Sequence, residues 1–317
     1  MDKTFMFKQA MLKRLLVKYN NLFIQKPDNM CCSTPTIESF IEFYSRILFP
    51  ILQKHVGKNL QALIDLLGCA FLYSDIVKND EGNLLDFFVG VNHDIIKDII
   101  VLKDTVIGAG EIFFDLFGAD ITNMNNKNDL YIFDGNNTNV EVKFGKGRLA
   151  SSRVNVIDVP SAASSFISLM KQRYNTTVGD IKEYNLGTER SVTLINNMLN
   201  NNKEDILQFY LDVVKLLFIN GRSLEQDFLK AYSSHYLDEI KTPLGVKSFL
   251  AYFYYNFYRT NDRFNDLILI NKKNYNYKVI RNDYDLIKQI NNKTIVVESL
   301  SWVDKIAKTL RISYVGK

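Results

Sequence analysis

Two short apolar runs separated by a turn give the segment 129–143 a strand–turn–strand pattern. The turn sequence Asp134-Gly-Asn-Asn137 favours a reversal of the chain. Side chains alternate between the two faces of a strand, so Glu141 and Lys143 of the second run point to the same face. The reversal would bring Asp129, which opens the first run, close to that face. The sequence therefore predicts two carboxylates and one ammonium at the ends of neighbouring strands.

A short amphipathic helix is predicted directly upstream of this hairpin. It follows Gly108 and Gly110, ends at Gly118, and carries Glu111 in its first turn. An acid is favoured at a helix start by the helix dipole, so Glu111 alone indicates no chemistry. The two carboxylates and one lysine that converge at the strand ends, however, suit a divalent cation and a phosphodiester. The inward face of the helix is predicted to consist of apolar residues: Ile112, Phe113, Leu116 and Phe117.

This order of residues resembles the PD-(D/E)xK nuclease superfamily, which includes many restriction enzymes, resolvases and phage nucleases. Asp129 matches the lone acid of the family, and Glu141-Val142-Lys143 matches its E-x-K element. Glu111 matches the acid that many members carry on the preceding core helix. Asn128, rather than proline, precedes Asp129, which is a departure from the family pattern. The resemblance covers roughly residues 100–160.

The resemblance implies a magnesium-dependent DNA endonuclease, with Mn²⁺ as a substitute cation. It makes Asp129, Glu141 and the backbone carbonyl of Val142 the expected metal ligands. Glu111 would bind a second metal, directly or through water. Lys143 would position or help to deprotonate the attacking water and stabilise charge in the transition state.

A basic cluster follows the E-x-K element. The sequence Gly145-Lys-Gly-Arg-Leu149 resembles the basic turn that often follows the catalytic strand in phage-encoded members of the superfamily. Lys146, Arg148 and Arg153 are therefore expected to bind DNA phosphates. For an isolated cluster, the plain alternative is a solvated positive loop.

The chain has 317 residues, of which 47% are hydrophobic and 23% are charged. This composition is that of an ordinary globular protein. No apolar run reaches the roughly 20 residues of a membrane-spanning helix, and the N-terminus does not have the pattern of a signal peptide. Cys31, Cys32 and Cys69 fit neither a disulfide framework nor a zinc knuckle. The cytoplasm of a bacterial host is the expected compartment, with no membrane partner.

A second class of function stays open from the sequence. The chain could be a non-catalytic nucleic-acid-binding protein, or a structural protein of a virion, that retains the nuclease fold. The resemblance points to a phage or a mobile element as the source, and phage proteins with a similar basic turn also occur in virions. Cleavage of both DNA strands by such a core would commonly need a homodimer.

The predicted fold class is α/β, a small mixed sheet flanked by helices with a restriction-endonuclease-like core. Helices are predicted over 4–25, 34–56 and 57–77, with a break or kink at Pro50. Residues 84–107 fit either a helix or short strands. The predicted organisation is a helical N-terminal region over 1–95 and a nuclease domain over 96–317, divided into a core (100–160), a helical part (161–260) and a strand and helix segment (261–317).

The C-terminal half is predicted to be helical first and to return to strands near its end. Its aromatic run Tyr252–Tyr258 is expected to lie in the core rather than to stack on bases. The predicted elements are mainly helix over 161–259, a hairpin of 267–270 and 275–280, a short helix over 283–290 and a strand over 295–297.

Overall fold

The structure, a computed structural model, describes residues 3–24, 36–56, 60–103, 108–123, 130–132, 138–149, 160–217, 239–303, 306–307 and 309–316. Within these ranges the fold is mixed α/β with flanking helices, as predicted. The chain forms two compact units. The first comprises Met1–Gly145, Arg263–Arg281 and Gly316, and the second comprises Lys146–Asp262, Asn282–Val315 and Lys317.

A six-stranded mixed sheet forms the centre of the first unit, in the order β1-β7-β6-β4-β3-β2. Its central pair, β4 and β6, is parallel, and the other neighbours are antiparallel. The strand bounds are β1 Glu81–Asn83, β2 Ile121–Thr122, β3 Leu130–Ile132, β4 Thr138–Phe144, β6 Asp266–Ile270 and β7 Asn276–Ile280.

Both predicted hairpins are confirmed by the pairing of their strands. Leu130 pairs with Val140 in the β3–β4 ladder, and Leu267 pairs with Ile280 in the β6–β7 ladder. The turn 133–137 of the first hairpin lies outside the described residues. The β6–β7 hairpin is part of the main sheet: β6 pairs with β4 over five residues and makes β4 an interior strand.

Helices of the first unit pack around this sheet and share one core with it. Their bounds are α1 Lys3–Tyr19, α2 Ile37–Val56, α3 Leu60–Leu66, α4 Tyr73–Val77, α5 His93–Ile100 and α6 Glu111–Phe117, with a π-helical turn Asn20–Ile24 and a 3₁₀ turn Leu84–Phe87. The first two predicted helices are confirmed. The predicted domain boundary after residue 95 falls inside α5, whose isoleucines are buried in this core.

The third predicted helix, 57–77, is wrong as a single element. Residues 57–59 lie outside the described ranges, and α3 and α4 are separated by non-helical chain. The amide of Gly68 donates to the carbonyl of Asp65 in a tight turn, and Phe71 then pairs with Gly118. Pro50 does not end α2. It lies at an exposed position, where water can satisfy the carbonyl that proline leaves without a donor.

The short helix α6 spans Glu111–Phe117, and Gly118 follows its last residue, as predicted. The prediction that this helix is amphipathic is wrong, because the side expected to face solvent is also covered. Every residue from Ile112 to Phe117 is buried, including Asp115. A helix that is buried on all sides cannot be recognised from an apolar stripe.

The second unit is mainly helical, as predicted for 161–259, and its aromatic run Tyr252–Tyr258 is largely buried in the core. Its helices are α7 Pro160–Arg173, α8 Glu189–Met198, α9 Lys203–Leu217, α10 Pro243–Asp262 and α11 Asp283–Asn291, with 3₁₀ turns Ile181–Tyr184 and Glu239–Lys241. Its strands are β5 Lys146–Arg148, β8 Ile295–Val297, β9 Trp302–Val303, β10 Ile306–Ala307 and β11 Arg311–Tyr314, arranged as the sheet β5-β11-β8 and the pair β9–β10. The predicted helix 283–290 and strand 295–297 are confirmed.

Among the described helices, none combines the length and apolar composition needed to cross a bilayer.

Candidate metal and phosphodiester site

Glu141 and Lys143 lie on one face of β4, as the alternation of the strand predicts. The ammonium of Lys143 donates a hydrogen bond to Oε1 of Glu141, so the two side chains form an ion pair. Glu141 is 2% exposed, whereas 20% of the Lys143 side chain is exposed. The carboxylate is therefore at the bottom of the site, and the ammonium lies nearer to solvent.

Gly110 allows the start of α6 to approach β4 closely. Its φ of +93° lies in a region that favours glycine. A Cβ atom at this position would lie 3.0 Å from Cγ1 of Val142 and 3.3 Å from Cδ1 of Ile270. The helix start therefore rests directly on β4 and β6. Glu111, the next residue, is held beside the strand that carries Glu141.

Two hydrogen bonds fix the carboxylate of Glu111. The amide of Gly108 donates to Oε1 at 3.0 Å, and Nδ2 of Asn123 donates to Oε2 at 3.2 Å. Asn123 is 7% exposed and directly follows β2. Sequence reasoning missed both partners, since neither an asparagine after a short strand nor a glycine amide carries a recognisable signal.

Glu111 lies within range of the charges of Glu141 and Lys143. Burial raises the pKa of Glu111 from 4.5 to about 7, and the negative charge of Glu141 adds to this effect. The Gly108 amide, the Lys143 ammonium and Asn123 oppose the rise. Of the four predicted catalytic residues, Glu141 and Lys143 form an ion pair, and Glu111 lies within range of both of their charges. Asp129, the fourth, lies outside the described residues.

The donor chemistry of this cluster fits a divalent cation. Carboxylates are hard oxygen ligands, and a cation between two mutually repelling carboxylates would relieve their repulsion. Within the described ranges, no group of three or more His, Cys, Asp or Glu residues is placed to hold a metal. The described residues supply two acids. A third protein carboxylate would have to come from Asp129.

Val142 was predicted to bind metal through its backbone carbonyl. Its side chain is 3% exposed and points to the opposite face from Glu141, toward Gly110. That packing fixes the strand between Glu141 and Lys143. Ligation by the Val142 carbonyl stays a prediction.

The basic cluster after β4 is a strand rather than the predicted turn. Only Gly145, with a φ of +72°, forms the bend, and Lys146–Arg148 then pairs with β11. Lys146 and Arg148 are exposed on either side of the buried Gly147, and Lys146 forms an ion pair with Glu298. Arg153 lies outside the described residues. Phosphate binding by these three cations stays a prediction.

Comparison with known proteins gives no match for this chain: no protein-family model, no curated protein and no solved structure matches it. The resemblance to the nuclease superfamily therefore rests on the motif residues. Function has to be inferred from the geometry and electrostatics of Glu111, Glu141 and Lys143.

Proposed function

We propose that this protein is a magnesium-dependent nuclease that hydrolyses phosphodiester bonds in DNA. The observation that carries the proposal is the Glu141–Lys143 ion pair on β4, together with the packing of the start of α6, where Glu111 lies, on the same strand. The charge of Glu141 contributes to the raised pKa of Glu111. Closely spaced carboxylates with an adjacent ammonium supply what hydrolysis of a phosphodiester needs, namely cation ligands and a proton donor.

Asp129 belongs to the proposed site on sequence grounds. It is covalently joined to Leu130, and Leu130 pairs with Val140, the neighbour of Glu141. It is also the acid that the family resemblance assigns to the metal. The proposal therefore requires that Asp129→Asn lose cleavage as completely as Glu141→Gln.

Magnesium would be held by carboxylate oxygens of Glu111, Asp129 and Glu141 and by the Val142 carbonyl. Manganese accepts the same oxygen donors and is the expected substitute. The bound cation would neutralise the negative charge that develops on the phosphoryl oxygens.

The protein side chains have distinct roles in this proposal. The Lys143 ammonium carries three N–H donors, and one of them would orient the attacking water or stabilise a phosphoryl oxygen. As a ligand of the cation, Glu111 would be held in its ionised form, and Lys143 would help to deprotonate the attacking water. The attacking water loses a proton to solvent and its oxygen bonds to phosphorus. The bond between phosphorus and the sugar oxygen breaks, and that oxygen takes a proton from a second water and leaves as a hydroxyl. Lys146, Arg148 and Arg153 would bind flanking phosphates.

The test uses the full chain with labelled double-stranded DNA, single-stranded DNA and RNA, each with Mg²⁺, Mn²⁺ or EDTA. Lys143→Met and Glu141→Gln should each reduce cleavage by about a hundredfold or more. Lys278→Met and Glu81→Gln are matched controls, because Lys278 and Glu81 form a second Lys–Glu ion pair in the same sheet, with Nζ and Oε2 3.5 Å apart. These controls should cleave like the unmodified protein.

Two results would lead to different conclusions. Cleavage that is insensitive to EDTA, or that survives Lys143→Met, contradicts the proposed site. DNA binding without cleavage of any substrate supports the non-catalytic alternative, a nucleic-acid-binding or virion structural protein. The same preparations, measured by light scattering with and without DNA, also test whether the active form is a homodimer.

A further inference from the structure

Helix α6, which carries Glu111 at its first position, is only seven residues long. An isolated helix of this length is unstable in water, so tertiary contacts must determine its position. At its N-terminal end, Gly110 rests on Val142 and Ile270. At its C-terminal end, the Phe71 amide donates to the carbonyl of Phe117, and two side chains of α1 also donate hydrogen bonds. The sequence predicts that α1 belongs to a separate helical region.

Two cations of α1 bind the C-terminal end of α6. Nη2 of Arg14 donates to the carbonyl of Phe117 at 3.0 Å, and its Nε donates to the carbonyl of Leu116 at 3.3 Å. Nζ of Lys18 donates to Oδ1 of Asp115 at 2.6 Å and also to the Asp115 carbonyl. The last carbonyls of a helix lack partners within it and form the negative end of its dipole, so cations are favoured there.

The second half of this cluster comes from α2 and β2. The Tyr44 hydroxyl lies 2.7 Å from Oδ1 of Asp115, to which it donates, and 2.8 Å from Oγ1 of Thr122. The buried cluster therefore consists of Arg14, Lys18, Tyr44, Asp115 and Thr122, each no more than 9% exposed.

Burying Lys18 and Asp115 opposes folding because both charges lose their hydration. Burial lowers the pKa of Lys18, and the charge of Asp115 opposes that change. Apolar side chains of similar volume often stabilise a protein as well as a buried ion pair does, or better. What the ion pair and its hydrogen bonds supply instead is one defined arrangement of α1 against α6.

We propose that Lys18 and Asp115, supported by Arg14, are positioning residues that hold α6, and with it Glu111, against β4, the strand that carries Glu141. Asp115 follows Glu111 by four residues, which is about one helical turn. A displacement of α6 at Asp115 is therefore transmitted to Glu111 along a single turn of helix. The expected effect on DNA cleavage rests on the proposed nuclease function, whereas the contacts between α1 and α6 do not.

The decisive variant is Lys18→Met/Asp115→Leu, which replaces the ion pair with apolar residues. The double variant should be thermally more stable than Lys18→Met, because the single variant leaves Asp115 buried without its cation. In both variants we expect Mn²⁺ to bind about tenfold more weakly than to the unmodified protein, as titrated by electron paramagnetic resonance. For DNA cleavage, kcat should fall and KM should change little. Phe7→Leu is the control, because Phe7 stacks on Phe49 of α2 at 5.4 Å and is not part of the cluster.

The amide resonance of Gly108 provides a readout that needs neither metal nor activity, because this amide donates to Glu111. It should shift in the Lys18 variants and not in Phe7→Leu. The proposal is overturned if the double variant has an unchanged Gly108 resonance and binds Mn²⁺ like the unmodified protein. If the unmodified protein neither binds Mn²⁺ nor cleaves DNA, while the Gly108 resonance still shifts, the nuclease proposal fails and the positioning role stands.

Discussion

Gly110 packs tightly against Val142: an added Cβ would lie 3.0 Å from Cγ1 of the valine, closer than most Cβ atoms approach a neighbour. This contact joins the start of α6 to the middle of β4. It places Glu111, one residue after Gly110, beside the strand that carries Glu141. The position of Glu111 against this strand therefore depends on glycine at position 110.

Gly110→Ala is expected to destabilise the protein by about 2 to 3 kcal/mol. About 1 to 2 kcal/mol comes from placing alanine at the positive φ of +93°, and the rest comes from overpacking against Val142. Urea denaturation measures the loss. Gly90→Ala is the matched control, because Gly90 has a φ of +80° but no atom within 4 Å of an added Cβ. Equal losses in the two variants would show that the contact with Val142 contributes nothing.

Stability should depend on pH through Glu111. Its pKa is about 7 in the folded state against 4.5 as the ordinary value, so the folded state holds more protons between these values. Stability therefore falls as the pH rises from about 4.5 and stops falling once the pH has passed about 7. The slope is at most about 1.4 kcal/mol per pH unit, and partial solvent exposure reduces it.

Glu111→Gln tests this dependence because glutamine has no proton to lose. We expect the variant to gain stability relative to the unmodified protein as the pH is raised from 5 to 8, measured by thermal unfolding without metal. A constant offset from altered hydrogen bonds to Gly108 and Asn123 would not affect the slope. Parallel curves for the two proteins would contradict the raised pKa of Glu111.

Magnesium should stabilise the protein, and more strongly at pH 8 than at pH 6, because the cation competes with the proton on Glu111. At ten times the dissociation constant, the expected gain is about 1.4 kcal/mol. Thermal unfolding with Mg²⁺ or EDTA measures it. Glu141→Gln should remove most of the gain, whereas Glu81→Gln in the same sheet should keep it. A gain of the same size in Glu141→Gln would place the cation elsewhere.

In the second unit, Asp212→Ala is expected to cost about 2 to 3 kcal/mol. This buried carboxylate of α9 accepts hydrogen bonds from the Tyr174 hydroxyl at 2.8 Å and from Gln208 at 2.9 Å, and pairs with Arg173 at 2.8 Å. Asp205→Ala is the control, an exposed acid in the first turn of the same helix, with an expected loss of about 0.5 kcal/mol. Chemical denaturation that gives equal losses would mean that the buried network adds no stability.

Local sequence patterns predicted the elements that carry the candidate site. The alternation in β4 placed Glu141 and Lys143 on one face, and the glycines around α6 set its two ends. Both hairpins were predicted because each is built from neighbouring segments with turn residues between them. Asp129 and Arg153 lie outside the described residues, so their place in the site stays a prediction.

Other features could not be predicted because they depend on what covers each segment. An apolar stripe suggested one helix over 57–77, yet a turn at Gly68 ends α3 so that Phe71 can pair with Gly118. Asp115, a single acid inside an apolar helix, could have indicated a buried partner. Nothing in the sequence identified Lys18 as that partner, because many other lysines have the same local context.

By itself, the sequence determined which side chains share a face of β4 and where α6 begins and ends, because backbone periodicity and glycine conformation act between near neighbours. Only the tertiary structure decided that β6 pairs with β4, that Glu111 lies near Glu141, and that α1 holds the far end of α6. These relations join segments far apart in the chain. The pKa of about 7 at Glu111 follows from them, because burial and a nearby charge exist only once the chain has folded.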